Sequence, residues 1–218
     1  RARVCTTWRD AAKKTVVPPS DNSVQIHDPR SYNAVRAMST ALPNLEQLEI
    51  SNLGNWHVYS DGEDPEWEWD TNCIIHDINI ISRFRKLRVL LIDTICMNGR
   101  YPNLFNFSHL QRLHINCDFV KWDLEMLSGF PSLKELELNG THMGKGNSRL
   151  TGSIHSLRIL RGTLEKVRVF ACHRVEGHLL ALADFPRLRK LNLLGTTVTG
   201  DIRYINVRHF PALEYLAL

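Results

Sequence analysis

One nine-residue phrase recurs along this 218-residue chain, and no other feature restricts its fold as strongly. The phrase runs aromatic-or-Leu, Pro-or-polar, any, Leu, any, any, Leu, any, aliphatic. Clear copies occupy 42–50, 84–92, 107–115, 130–138, 185–193 and 210–218, with a weaker one at 164–169 that follows the same spacing. The leading aliphatics are Leu45, Leu87, Leu110, Leu133, Leu164, Leu188 and Leu213, at intervals of 42, 23, 23, 31, 24 and 25 residues. Four of the six share one period, within the range of about 20–29 residues of a single stacked structural unit. The two longer intervals read as insertions near 55–72 and 141–156.

The spacing has a physical cause. The Leu-x-Leu pair alternates with period two, so both side chains leave the same face of a short strand. The earlier Leu, three residues before, enters the same interior as the chain approaches the strand. Burying each such side chain is worth about 1.5–3 kcal/mol, yet one repeat alone has nothing to bury it against. Stacked neighbours supply the missing surface, so the array is stable only as an array. The seven leading aliphatics are therefore expected to share one interior, with the strands pairing in parallel.

Between strands the pattern turns helical. Apolar residues recur at helical spacing over 31–42 and 73–84, and more briefly over 122–127 and 177–185. Pro43, Pro131 and Pro186 follow as stop signals. Gly99, Gly177 and Gly200 come after the strands, where they turn the chain and allow close layering. The expected architecture is α/β, a right-handed solenoid with a curved parallel sheet on its concave side and helices or irregular turns on its convex side.

Strand, turn, helix and period resemble the leucine-rich-repeat family over roughly 43–218. The Thr-x-Val-x-Gly-Asp-Ile phrase at 196–202 is similar to the family's plant-type turn variants. Ahead of the array, Val4-Cys5-Thr6-Thr7-Trp8-Arg9-Asp10-Ala11-Ala12 resembles the closing helix of an F-box. This gives residues 1–14 as the end of an F-box-like helix, 15–30 as a linker or N-terminal cap, and 31–218 as the repeat array. The resemblance implies a substrate receptor of a cullin-type ubiquitin ligase, with Cys5, Trp8 and Arg9 nearest the adaptor. Most of an F-box would lie upstream of Arg1, so the chain reads as a piece of a longer protein. Only that longer form is expected to bind a Skp1-type adaptor. A leucine-rich-repeat scaffold for regulation or signalling, unrelated to ubiquitin, is the alternative.

Composition narrows the function classes. Hydrophobic residues make up 43% of the chain, enough for a core, and no apolar run approaches the length of a membrane span. The net charge is +4, and the first fourteen residues carry all of it: Arg1, Arg3, Arg9, Lys13 and Lys14 against Asp10. A nucleic-acid-binding body needs a basic stripe, and this body is balanced. The partner expected is protein, with neither nucleic acid nor membrane. Five scattered cysteines do not form a disulfide framework, which suits a cytoplasmic or nuclear protein. Cys117 and Cys172 fall just past strands, where this family places inward-pointing residues. His114-x-x-Cys117 and Cys73-x-x-His76 lack a second half at zinc-site distance, so no metal or cofactor is expected. Neither a phosphate loop nor a nucleophile elbow is present, and the chain reads as a scaffold rather than an enzyme.

The candidate site follows from strand alternation. Residues beside the buried aliphatics face outward on the concave side: Gln47, Glu49 and Ser51, then Val89, Leu91 and Asp93, then Arg112, His114 and Asn116. The later rows are Glu135, Glu137 and Asn139, then Lys166, Arg168 and Phe170, then Lys190, Asn192 and Leu194, and last Tyr215 and Ala217. Mixed charge with aromatic and arginine anchors suits a protein partner. Charge alternates along this ladder: acidic early, basic at Arg112, acidic again, then basic from Lys166 to Lys190. A Lys166/Arg168 double charge reversal is expected to abolish partner capture. A second candidate is the first insertion, where Trp56, Trp67 and Trp69 stand among six acidic residues from Asp61 to Asp70.

Overall fold

The computed structural model describes residues 23–25, 29–42, 44–51, 57–59, 66–68, 76–93, 97–100, 107–116, 120–140 and 150–218. Eight short strands form one parallel sheet: Ser23–Gln25, Gln47–Ser51, Val89–Asp93, Arg112–Asn116, Glu135–Asn139, Lys166–Phe170, Lys190–Asn192 and Tyr215–Ala217. Register is constant from rung to rung, with Leu48 beside Leu90, Leu90 beside Leu113, and Leu113 beside Leu136. The series continues through Val167 and Leu191 to Leu216. The link between rungs also repeats. The carbonyl of Glu46 accepts from both Arg88 and Val89, and the carbonyls of Arg88, Gln111, Lys134, Glu165 and Arg189 each do the same for the next rung.

The expected single interior is present. Leu45, Leu87, Leu110, Leu133, Leu164 and Leu188 are buried in one apolar cluster, and Leu213 packs against it half-buried. Phe84, Phe107, Phe130 and Phe185, which open the repeated phrase, are among the largest fully buried side chains. Each makes a tight turn, its carbonyl accepting from the amide of the Leu three residues on, as from Leu110 to Phe107 at 3.0 Å.

The other side of the repeat departs from expectation. Among the described residues only the first connection is an α-helix, Pro29–Ala41. Where the spacing predicts helices over 73–84, 122–127 and 177–185, each described segment splits into a strand followed by a 3-10 turn. These are His76–Asp77 with Ile78–Arg83, Val120–Asp123 with Leu124–Gly129, and Val175–His178 with Leu179–Leu182. These strands join Met97–Arg100, Leu150–Ser153 and Thr197–Thr199 in a second parallel sheet of six. Chain length explains the substitution. Four to six residues must cover the distance, and a 3-10 turn rises about 2.0 Å per residue against 1.5 Å for an α-helix. The buried positions follow a period of three, as Ile78, Ile81, Phe84 and again Leu124, Leu127, Phe130. That is the 3-10 repeat, not the α-helical one.

Regular structure also reaches into two of the expected segments. The segment expected as a second insertion, 141–156, ends in regular structure, because Leu150–Ser153 and the 3-10 turn Ile154–Leu160 occupy the ordinary places of a repeat. The rest of that segment, 141–149, lies outside the described residues. The large sheet starts at Ser23–Gln25, within the segment expected as linker or cap, where it pairs in parallel with Gln47–Ser51. In the first insertion, His57–Tyr59 and Glu66–Glu68 form an antiparallel hairpin with Val58 opposite Trp67.

Candidate partner-binding face

Alternation in the large sheet turns one set of side chains inward and leaves the other facing out. Leu90 and Ile92 are buried while Val89, Leu91 and Asp93 are not, and the strands from Arg112, Glu135 and Lys166 repeat this. Register then arranges the outward residues as ladders. One runs Gln47, Val89, Arg112, Glu135, Lys166, Lys190, Tyr215. The next runs Glu49, Leu91, His114, Glu137, Arg168, Asn192, Ala217. A third runs Ser51, Asp93, Asn116, Asn139, Phe170. The strand residues of the expected concave face whose side chains are described therefore sit on one surface, with the backbone of Ser51 in register beside Asp93. Leu194 lies just past its strand, in the following turn, and is 38% exposed.

The charges on this surface are largely spent on one another. Arg112 donates two hydrogen bonds of 2.8 Å to the Glu135 carboxylate, which holds its guanidinium pKa above the ordinary value. The Glu137 carboxylate takes Lys166 on one side and the His114 ring, Nδ1 at 3.1 Å, on the other. Burial pushes the Glu137 pKa up, but the hydrogen bonds and charges of Lys166 and His114 outweigh it, and the net shift is downward. Asn116 donates to Asp93 at 2.9 Å. Lys166 is thus committed to Glu137, and the cations of the ladders left without a carboxylate among the described residues are Arg168 and Lys190. Both lie in the stretch from Lys166 to Lys190 that the sequence marks as basic. Arg112 and Glu135 hold the same place in consecutive copies, as do His114 and Glu137, and it is the strand register that brings them into contact.

The remaining candidates divide. The backbone of Trp67 lies in the hairpin, while Trp56, Trp69, Cys5, Trp8 and Arg9 lie outside the described residues, as does Cys117. Cys172 is buried, and its thiol reaches the Phe170 carbonyl at 3.2 Å. Among the described residues no group of three His, Cys, Asp or Glu side chains is arranged to hold a metal ion, and no helix is long and apolar enough to cross a membrane.

No protein-family model and no curated protein matches the chain in sequence. Solved structures match in shape. An internalin (inlF) from Listeria monocytogenes superposes with a TM-score of 0.52 at 17% identity, over 84% of this chain and 50% of its own. An internalin C2 from the same organism gives 0.51 at 14% identity, over 97% of this chain and 91% of its own. This chain is a leucine-rich-repeat solenoid. It spans half the length of the first internalin and most of the second, and at these identities the likeness concerns the fold alone. The large sheet of such a solenoid lines its concave side, so the three ladders form the concave face.

Proposed function

We propose that this solenoid is a protein-binding scaffold, and that in a longer protein it holds the substrate of an F-box-type ubiquitin ligase. The first half rests on the register of the large sheet. It delivers a continuous outward surface of charged, amide and aromatic side chains on a rigid base, as a protein partner requires. Nothing in the arrangement needs this chain to perform chemistry, since transfer of ubiquitin would fall to other subunits. The second half rests on the Val4-Cys5-x-x-Trp8-Arg9 phrase ahead of the array.

The test is affinity capture with the full-length protein. Protein partners are expected to be lost on Arg168→Glu/Lys190→Glu and kept on Lys121→Glu, a control on the smaller sheet, with a Skp1-type adaptor retained in both. Partner capture without any Skp1-type adaptor would remove the ubiquitin-ligase half and leave a regulatory or signalling scaffold. Equal capture by both variants would remove the concave face as the binding site.

A further inference from the structure

Among the described residues, compensation of the cations on the concave ladders stops at one corner. The row at the strand entrances pairs Glu46 with Arg88, Lys134 with Glu165, and Arg189 with Glu214. The rows above it pair Arg112 with Glu135 and Lys166 with Glu137. Arg168 and Lys190 break the pattern. Lys190 sits directly across from Lys166 on the neighbouring strand, and like charges so placed repel. Arg168 lies 5.1 Å over the ring of Phe170, with its Nε out of water and without an acceptor among the described residues. That Nε has lost hydration, and the guanidinium has gained an aromatic face but no anion among the described residues. Beside Phe170 in register, Asn139 also holds its Oδ1 out of water with no donor among the described residues. The corner is bordered by apolar surface that remains in water, with Tyr215 51% exposed and Leu194 38% exposed.

Resting on the proposal that the concave face binds protein, we infer that this corner takes an acidic, extended segment of the partner. Its carboxylates lie against Lys190 and the terminal nitrogens of Arg168, and a neighbouring apolar side chain lies on Tyr215 and Leu194. An incoming carboxylate relieves the Lys166–Lys190 repulsion and gives Arg168 the planar anion its fork matches. A phosphate backbone crossing the face would instead meet Glu49 and Asp93 on the same surface, with two uncompensated cations in place of a basic stripe. The surface favours protein.

The inference is tested by fluorescence anisotropy on the 218-residue chain with four labelled probes. They are a twelve-residue peptide alternating Glu with Phe or Leu, the same peptide with Lys for Glu, oligoglutamate of equal length, and a twelve-nucleotide oligouridylate. The Glu/Phe/Leu peptide should bind tightest and weaken as salt rises through the range where the Debye length shrinks to about 8 Å. Arg168→Glu/Lys190→Glu should weaken it by about tenfold or more, the size of one lost charge-assisted contact. Arg168→Gln/Lys190→Gln should give a smaller loss in the same direction, and decides the matter if the double reversal does not fold. Equal affinity of parent and glutamine variant overturns the inference, as does tighter binding of oligouridylate or of the Lys peptide. If the double reversal removes cellular partners while no acidic peptide binds, the concave face stands and the acidic segment falls. If the variants change neither, both fall together.

Discussion

The two sheets of this solenoid do the same mechanical job with different chemistry. In the larger one, most strands send two aliphatic side chains inward, and the interior rests on Leu48 and Ile50, Leu90 and Ile92, Leu113 and Ile115, Leu136 and Leu138. In the smaller one, strands are two to four residues long and bury less. Their layering depends on glycine and on caps. Gly152, Gly177 and Gly200 have φ of 111°, 127° and 147°, and each lies against the preceding rung where a side chain would collide. One residue after each of them, and at equivalent places elsewhere, a side chain accepts from the amide two residues on. Asp77, Asp123, Ser153, His178 and Asp201 all do so, starting the 3-10 turns. The large sheet is held by hydrophobic burial, and the small one by backbone conformation and local hydrogen bonds.

The sharpest way to break this contrast is Leu136→Asp. Leu136 is fully buried between Leu113 and Val167 of the neighbouring rungs. A carboxylate there has no cation and no water, so the expected loss exceeds about 4 kcal/mol and the cooperative melt should disappear. A variant that melts like the parent would end the claim that one continuous interior carries the array.

The same contrast decides which parts of the molecule are legible in its amino-acid sequence. Burial leaves a strong mark because it demands one class of residue at fixed spacing. The leading aliphatics from Leu45 to Leu213, and the outward ladder between them, follow from that spacing alone. The small sheet leaves a fainter mark: Leu150-Thr-Gly-Ser-Ile154, Val175-Glu-Gly-His-Leu179 and Val198-Thr-Gly-Asp-Ile202 share one aliphatic, one glycine, one capping group and one aliphatic. Apolar residues at period three imitate a helix, because Ile78, Ile81 and Phe84 also fit an α-helical face over so short a stretch. On the concave face, residue identities are legible but their pairing is not. Whether Arg112 reaches Glu135 depends on rungs standing in zero-shift register, which intervals of 23 and 31 residues do not by themselves establish.

A middle-sized effect probes the smaller sheet. In Gly152→Ala the new Cβ would lie 2.7 Å from Asp123 Oδ1 and 3.0 Å from the Leu124 amide nitrogen, at a φ that L-residues avoid. Strain of this kind costs about 1–3 kcal/mol. Thermal unfolding should show that loss, and amide exchange should be fastest around 150–154. An unchanged melt would mean that the small sheet tolerates looser layering than its glycines imply.

The smallest effect separates the polar face of the large sheet from its apolar interior. Glu137→Gln keeps the shape of the side chain but removes the charge that Lys166 and His114 share. The Glu137 side chain is 17% exposed and that of Lys166 35%, so the lysine can recover water when its partner is neutral. The loss at pH 7 should be about 1 kcal/mol, between an exposed ion pair and a buried one. Its pH dependence gives the stronger test. The folded-state pKa of Glu137 is depressed below the unfolded value, which is about 4.3 for a glutamate. The pair therefore adds stability above that unfolded value and loses it as pH falls through the lower, folded value. Parent and variant should differ at neutral pH and converge in acid, measured by denaturant unfolding at steps from pH 7 downward. A difference that stays constant across that window would mean Glu137 acts through packing, and the concave charges would then not be coupled as the ladder indicates.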